Sequence, residues 1–432
     1  MKWRLNRSLL SRKPFAMIQN SRSFEILRAK TGAALMLALF ATTLLMVIAT
    51  EIMYETSVEY VVTTQAVNRV RSYWAARAGI EMSLMRIHIF RQAQSLAGSV
   101  LPDPTILDQI WRQPFLWPPP IPKEASAVDK DQIQKAVKAS DMSAIKASYF
   151  ATIESEGAKI DINDLGSPSK MIAQAANNQI LQTFTSRMEN DEEFGRRHRG
   201  FNFQELINNI ADWIDTDKEG RNGGNESAPY PTSGGTAELP PNQPLKSLEE
   251  LHQVSGMTDE LYALLIPSLT LYGAKGININ QATKEVFFAF GIAFSPERVD
   301  RILKDRNDPR RGPFKDEKDF ISYLGSIGIV GNPFETADGG RIPLVFEPET
   351  NFKIQSTGKS GQSQSDIVAI VFDQDKIRSR LEAALLEQGK PKTPPTTPPP
   401  PATPPAPDAA KQKQPPTPAP LKRPKIVYWN EQ

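Results

Sequence analysis

Apolar and charged positions along this chain fall into blocks of different period, and those blocks define its elements. The first block is Ala33 to Thr50, an apolar run with no charged residue before Glu51. It is about long enough to cross a bilayer. The pattern then changes without stopping. Val58, Val62, Ala66, Val70, Trp74, Ala78, Met82, Met85 and Ile89 recur every three or four residues, while Glu51, Glu55 and Glu59 fall on another face. That spacing predicts an amphipathic helix continuous with the span, from Ala33 to about Gln92, because no Gly or Pro breaks it at the membrane exit. Roughly 60 residues at 1.5 Å each make a rod on the order of 90 Å long, with an upper half that needs a partner surface.

Later blocks are shorter. Pro102, Pro104, Pro114 and the run Trp117-Pro118-Pro119-Pro120 mark a loop between Ala97 and about Met142. Tyr149 to Ile153 alternates as a strand, Glu156-Gly157-Ala158 is a turn, and Lys159 to Ile162 is expected to return as a second strand. Helical spacing dominates from about Ser167 to Gly340. It predicts helices over Met171–Met188, Phe203–Ile214, Leu248–Gly256, Asp259–Leu269, Ala282–Phe290, Pro296–Lys304 and Lys318–Leu324. Strand patterns resume at Asn351–Thr357 and Ser365–Phe372, around a turn at Gly358–Gly361, before a helix at Asp375–Glu387. Strands on both sides of a helical block imply one sheet interrupted by an insertion.

The expected organisation is therefore a leader over 1–32, a membrane half of the long helix over 33–50 and its amphipathic half over 51–95. A Pro-containing linker follows over 96–147, first strands over 148–166, and an inserted helical domain over 167–345. Returning strands and a terminal helix occupy 346–388, and a Pro-rich disordered tail 389–432. The fold class is α+β: a long N-terminal helix plus a small antiparallel sheet, with a large inserted all-α domain.

Charge adds orientation. Lys2, Arg4, Arg7, Arg12, Lys13, Arg22, Arg28 and Lys30 precede the span against one acid, Glu25. This bias places the N-terminus in the cytoplasm and the chain beyond Glu51 outside it. A simple signal peptide fits less well, because the apolar run is too long and Ile48-Ala49-Thr50-Glu51 is a poor cleavage site. The formal net charge of +2 leaves no bulk field favouring nucleic acid, and the absence of cysteine excludes disulfides and thiolate metal sites.

Candidate chemistry is sparse. Asp215, Asp217, Glu219, Gly220 and Glu226 fall at loop positions 1, 3, 5, 6 and 12 of an EF-hand-like pattern. Ser227-Ala228-Pro229-Tyr230-Pro231 then denies it an exit helix, so the reading is a hard-cation loop of oxygen ligands, suited to calcium, beside a plain solvated acidic loop. Ile279 to Ile292, followed by Pro296–Arg306 and Gly312-Pro313-Phe314, resembles a helix-hairpin-helix unit. Only Gly291 of the Gly-x-Gly hairpin is present, and Asp300, Asp305, Asp308 and Asp316 offset Lys304, Arg306, Arg310 and Arg311. No nucleic acid is expected as a partner, and a membrane-anchored DNA-binding protein is the second reading. Gly358-Lys359-Ser360 fails as a phosphate loop, and His88, His198 and His252 share no motif. Asp161 and Asp164 read as caps or turn formers. No enzymatic constellation is present in the sequence.

Taken together, the basic leader, Gly32, the apolar helix, its amphipathic extension and the following sheet resemble the type IV pilin family and its secretion relatives. The resemblance implies leader cleavage between Gly32 and Ala33, with N-methylation at Ala33. Most members carry glutamate at the fifth residue of the processed chain; here it is Leu37. One branch lacks that acid and carries a large helical insertion in its sheet: the K-class minor pseudopilins of type II secretion. Ala75 to Glu81, Ile210 to Asp217, Ser247 to Leu251 with Gly256-Met257-Thr258, and Ile277 to Ala282 resemble that branch in order. The helix pairs are then expected to be helix-hairpin-helix or SAM-like.

The resemblance further implies structural calcium held by acids among Asp212, Asp215, Asp217, Glu219 and Glu226. It implies a single-pass inner-membrane protein of a diderm bacterium, with most of the chain periplasmic. Expected partners are other minor pseudopilins in a tip complex, the major pseudopilin, the inner-membrane assembly platform and prepilin peptidase. The helix-packing interface would include Val58, Val62, Val70 and Trp74. An unpaired carboxylate in the span would cost roughly 2.5–3.5 kcal/mol, so Leu37 suits a subunit with no neighbour above it. The implied function is capping the filament tip and initiating its assembly for protein export across the outer membrane.

Overall fold

A computed structural model describes residues 21–97, 104–120, 146–230, 239–308, 310–335, 341–388 and 424–431, with scattered positions between 131 and 138. Expectations for residues 1–20, parts of the 97–142 loop and residues 389–423 lie outside them. The chain divides into residues 1–67 and residues 68–432. Helix α1 runs over Ser21–Ala97, without the break that a Gly or Pro cluster would impose. From 33 to 67 its side chains are exposed apart from Thr64.

Beyond residue 68, α1 carries two apolar stripes. Ala76, Ile80, Leu84, Ile87 and Phe90 are buried, and they form a core with Trp111, Ile153, Phe352, Ile354, Ile367, Ala369 and Val371. This 3–4 spacing is the face the helix lays on its own sheet. The stripe containing Val70, Trp74, Met85 and Ile89 stays exposed.

After α1 come α2 (Gln109–Arg112), β1 (Phe115–Trp117), β2 (Ser148–Ser155) and β3 (Ile160–Asp161). The helical block contains α3 (Lys170–Asn190), α4 (Glu192–Arg197), α5 (Phe203–Ile214) and α6 (Asp259–Leu265). Strands β4 (Leu269–Thr270) and β5 (Ile277–Asn278) precede α7 (Lys284–Phe288), α8 (Pro296–Arg306) and α9 (Glu317–Ser326). The chain continues with β6 (Leu344–Val345), β7 (Phe352–Ser360), β8 (Ser363–Val371), α10 (Gln374–Gln388) and β9 (Ile426–Glu431).

The main sheet has the order β1-β2-β7-β8-β9, antiparallel throughout. β2 and β7 pair from Ser148↔Lys359 to Ser155↔Phe352, so the helical block enters and leaves at adjacent points. The α+β architecture expected from the sequence, a long helix and an antiparallel sheet interrupted by a helical insertion, is borne out.

Four expectations need correction. Lys159–Ile162 does not return against β2: Ile160 and Asp161 pair in parallel with Leu269 and Thr270. Both residues are buried, so they lack the one-sided alternation of a hairpin edge. Strand β1 lies inside the stretch read as linker, where the neighbouring prolines obscure three residues, Phe115–Trp117. The tail is not wholly unstructured, because residues 426–431 form β9. Their β-prone sequence Ile-Val-Tyr-Trp finds an open edge on β8. Finally, Gly358 is a strand residue, not a turn residue. A Cβ there would overlap the carbonyl oxygen of Ser72 and the amide nitrogen of Ala76, so glycine lets α1 approach the sheet backbone.

Candidate metal site

Helix α5 delivers the acidic loop. Asn202 caps its start, the side chain accepting from the Glu205 amide at 3.2 Å. Leu206, Ile207, Ile210, Ala211, Trp213 and Ile214 are buried, which fixes the helix rotation and turns Asp212 inward with them. The helix ends at Asp215, whose amide donates to the Ala211 carbonyl at 2.9 Å. Two carboxylates thus stand at a helix C-terminus, where the backbone dipole favours a cation.

The loop then folds back on itself. Gly223 and Gly224 adopt φ of 89° and 83°, conformations that side-chain-bearing residues rarely take. The Gly220 amide donates to the Gly224 carbonyl at 3.0 Å, and Glu219 bridges to Asn225. This hairpin returns Glu226 to the helix end. One carboxylate oxygen each from Asp212, Asp215 and Glu226 lie within 4.8 Å of one another. Asn242 joins them: its Nδ2 donates to Glu226 Oε2 at 2.8 Å and also to the Asp217 carbonyl.

Arg221 is the internal counter-charge. Its amide donates to Asp212 Oδ1 and Oδ2 at 3.2 and 3.1 Å, and its Nη2 donates to Asp215 Oδ2 at 3.0 Å. The guanidinium reaches two of the three carboxylates, Asp212 and Asp215. Burial pushes the Asp212, Asp215 and Glu226 carboxyls above their ordinary range, and the neighbouring carboxylates push the same way. Asp215 Oδ1, Glu226 Oε1 and Asn242 Oδ1 are buried without a hydrogen-bond partner. Such orphaned oxygens are costly unless something binds them. An all-oxygen set with excess negative charge fits a hard divalent cation.

Loop spacing points to Asp215, Asp217, Glu219 and Glu226, and the resemblance adds Asp212; of these five acids the structure brings together Asp212, Asp215 and Glu226. Asp217 Oδ1 instead accepts from the Glu219 amide at 2.9 Å, and both side chains are exposed. The glycine hairpin closes before an EF-hand loop could wind around its ion, so positions 3 and 5 turn away. Asn242 escaped the sequence reading because it is uncharged and lies beyond the loop. Its backbone takes a φ of 50°, which asparagine tolerates.

Other candidates resolve differently. Gly32, Ala33 and Leu37 lie within α1, and Leu37 is exposed. The helix portion Gly32–Leu96 is long and apolar enough to cross a membrane. Asp161 and Asp164 are not isolated: Lys275 Nζ binds both, at 2.9 and 2.5 Å, while Asp161 also caps the Asn163 amide. In the hairpin-like segment, Arg306 points inward and donates to the carbonyls of Ile279 and Ala282 at 2.8 and 2.9 Å. Burial lowers its pKa to about 10. Arg311 stacks on Phe314 and Tyr323, at 4.0 and 4.5 Å from the ring centroids. These arginines brace the fold, where a phosphate-binding surface would need them pointing outward.

Comparison with curated proteins returns no match. Among solved structures, the chain is similar to one in the crystal structure of the GspK-GspI-GspJ complex from the enterotoxigenic Escherichia coli Type 2 Secretion System. That similarity has 16% sequence identity and a TM-score of 0.41, over 75% of this chain and 95% of the other. The family model of type II secretion system (T2SS) protein K matches residues 158–274, a span that contains α3 to α6 and the acidic loop. The resemblance read from the sequence is borne out over that span, which is similar to the type II secretion protein K family.

Proposed function

We propose that this chain is the minor pseudopilin that caps the tip of a type II secretion pseudopilus, initiates its assembly and so supports protein export across the outer membrane. The observation that carries the reading is the second stripe of α1. One stripe is covered by the chain's own sheet, while Val58, Val62, Val70 and Trp74 are 45%, 59%, 57% and 48% exposed. A helix apolar on two sides, with one side left bare, needs a second surface. Equivalent helices of other minor pseudopilins are the partners proposed here, packed through side-chain ridges and grooves.

Processing belongs to the same reading. Cleavage by prepilin peptidase after Gly32 would leave Ala33 as the methylated first residue, anchored in the inner membrane, with the body in the periplasm. Leu37 asks for no charged neighbour above it, and the bulky insertion would block addition at that end. Contacts with the major pseudopilin and the assembly platform would follow from filament growth. The acidic site takes calcium, held by Asp212, Asp215, Glu226 and the Asn242 carbonyl oxygen, as a brace of the helical domain. The role is assembly, with no reaction assigned.

The test is co-purification. Val62→Asp combined with Val70→Asp should abolish association with the other minor pseudopilins while leaving the thermal transition of the body unchanged. Undiminished association would refute the interface. Mass spectrometry of the same preparation reads the processing: a start at methylated Ala33 supports the reading, and an intact leader opposes it.

A further inference from the structure

Strand β9 is held on the sheet from one side only. It pairs antiparallel with β8 from Ile367↔Glu431 to Val371↔Ile426, with a register break between Ile370 and Val371. Trp429 packs on the core between α1 and the sheet. Glu431 Oε1 accepts from Trp429 Nε1 at 2.7 Å and from the Tyr73 hydroxyl of α1 at 3.1 Å. On the other face, the Tyr428 ring lies 5.8 Å from that of Tyr272. No residue of β9 is fully buried. Backbone pairing along one edge, with alternate side chains read on opposite faces, is the geometry by which sheets bind extended peptides.

Chain connectivity separates β9 from the fold as well. Residues 389–425, rich in proline, stand between α10 and β9. Closing a loop costs free energy that grows only with the logarithm of its length, so so long a connection barely weakens the pairing and does not enforce it either. β9 therefore behaves as a ligand supplied at high local concentration. It covers Ile367–Val371 of strand β8, an edge that would otherwise offer a row of unpaired backbone groups.

We propose that the β8 edge is a peptide-binding site and that β9 is its tethered, releasable occupant, leaving the edge while the rest of the body stays folded. The site takes an extended segment with adjacent aromatics and an acid two residues after the tryptophan, as in Tyr428-Trp429-Asn430-Glu431. While β9 is seated, any other extended segment is excluded. The proposal stands on the sheet alone and does not depend on the tip role.

The test uses the full chain in detergent, a version lacking residues 425–432, and a synthetic peptide of residues 425–432. The shortened chain should remain folded, with its melting temperature lowered by about 4 °C or more. It should bind the peptide saturably, and the Trp429→Ala peptide at least about tenfold more weakly. The full chain should bind the peptide at least about tenfold more weakly than the shortened one. Val368→Cys with Asn430→Cys, a register pair in a chain without cysteine, should lock β9 on oxidation and abolish peptide binding until reduced. Three results would overturn the proposal. They are a folded shortened chain that ignores the peptide, a shortened chain that cannot fold, and a disulfide that forms between two chains, which would mean exchange of β9 between copies.

Discussion

Asp212, Asp215 and Glu226 set a pH dependence whose sign follows from their burial. Their folded-state pKa values are raised, so the folded chain holds protons more tightly than the unfolded one. Without a cation, the cluster favours the fold below those raised values and opposes it as pH rises through them. A bound divalent cation stabilises the ionised forms and reverses the balance. Calcium should therefore raise the melting temperature most at neutral pH, and the gain should shrink as pH falls toward the ordinary carboxylate range near 4. Glu226→Gln should remove most of the gain; an equal gain in this variant, or at both pH values, would sink the assignment. Lys275 poses the complementary case. It holds two buried carboxylates, and burial beside Asp161 pushes Asp164 up to about 7 even with the lysine present. Lys275→Met leaves both acids unpaired and should cost about 3–5 kcal/mol in chemical denaturation. Loss of less than about 1 kcal/mol would show that the acids are readily neutralised in place. Loop spacing anticipates Asp215 beside Glu226, and the resemblance adds Asp212, but the Lys275 bridge could not be read from spacing, because it depends on turns that bring together residues far apart in sequence.

At the scale of elements, legibility tracked how much of an element's own sequence decides it. Helix α5 was read to its terminal residues, since Asn202 caps it and its apolar face repeats with helical period. Helix α4 was missed: six residues are too few to show a period, although Asp191 caps it through the Phe194 amide at 3.0 Å. β3 was assigned the wrong partner because a two-residue strand has no pattern, and its pairing with β4 is set by the insertion's packing. The long helix was legible, yet the face it turns to its own sheet was not. The stripe from Val58 to Ile89 was as apolar as the Ala76–Ile87 face, and only the glycines of contact distinguish them. Gly79 faces Ser356, and Gly358 meets the backbone of Ser72 and Ala76. A side chain at Gly358 cannot be accommodated by a rotamer change, since its obstacle is backbone. Gly358→Val should lower stability by about 3 kcal/mol or more, at the upper end for overpacking, whereas Val70→Ala on the bare stripe should change it by less than about 0.5 kcal/mol. Equal losses in urea titrations would contradict the two-stripe description.

For the whole molecule, the insertion matters more than any single site. Two cores are distinct in composition: one lies among residues Ile160 to Ile342 of the helical block, and the other joins α1 to the sheet through residues such as Ile80 and Ile354. The links between them are largely polar. Glu349 accepts from the Thr350 and Asn351 amides at 2.8 and 2.9 Å, from Asn278 Nδ2 at 3.3 Å and from the Ser155 hydroxyl. Asn351 Nδ2 donates to the Tyr272 carbonyl, and Gln281 Nε2 to Asp108 Oδ2. A junction of hydrogen bonds that water can replace binds two bodies less firmly than shared apolar packing. Because Ser155 and Phe352 are register partners, the sheet needs only a short turn to close over the gap. Residues 157–350 made alone should therefore show a cooperative thermal transition that calcium moves upward. The chain with those residues replaced by Asn-Gly should keep a folded helix and sheet whose transition ignores calcium. If the excised helical block lacks a near-UV circular dichroism signal and a cooperative transition, the two cores form a single folding unit, and the insertion is a domain in topology only.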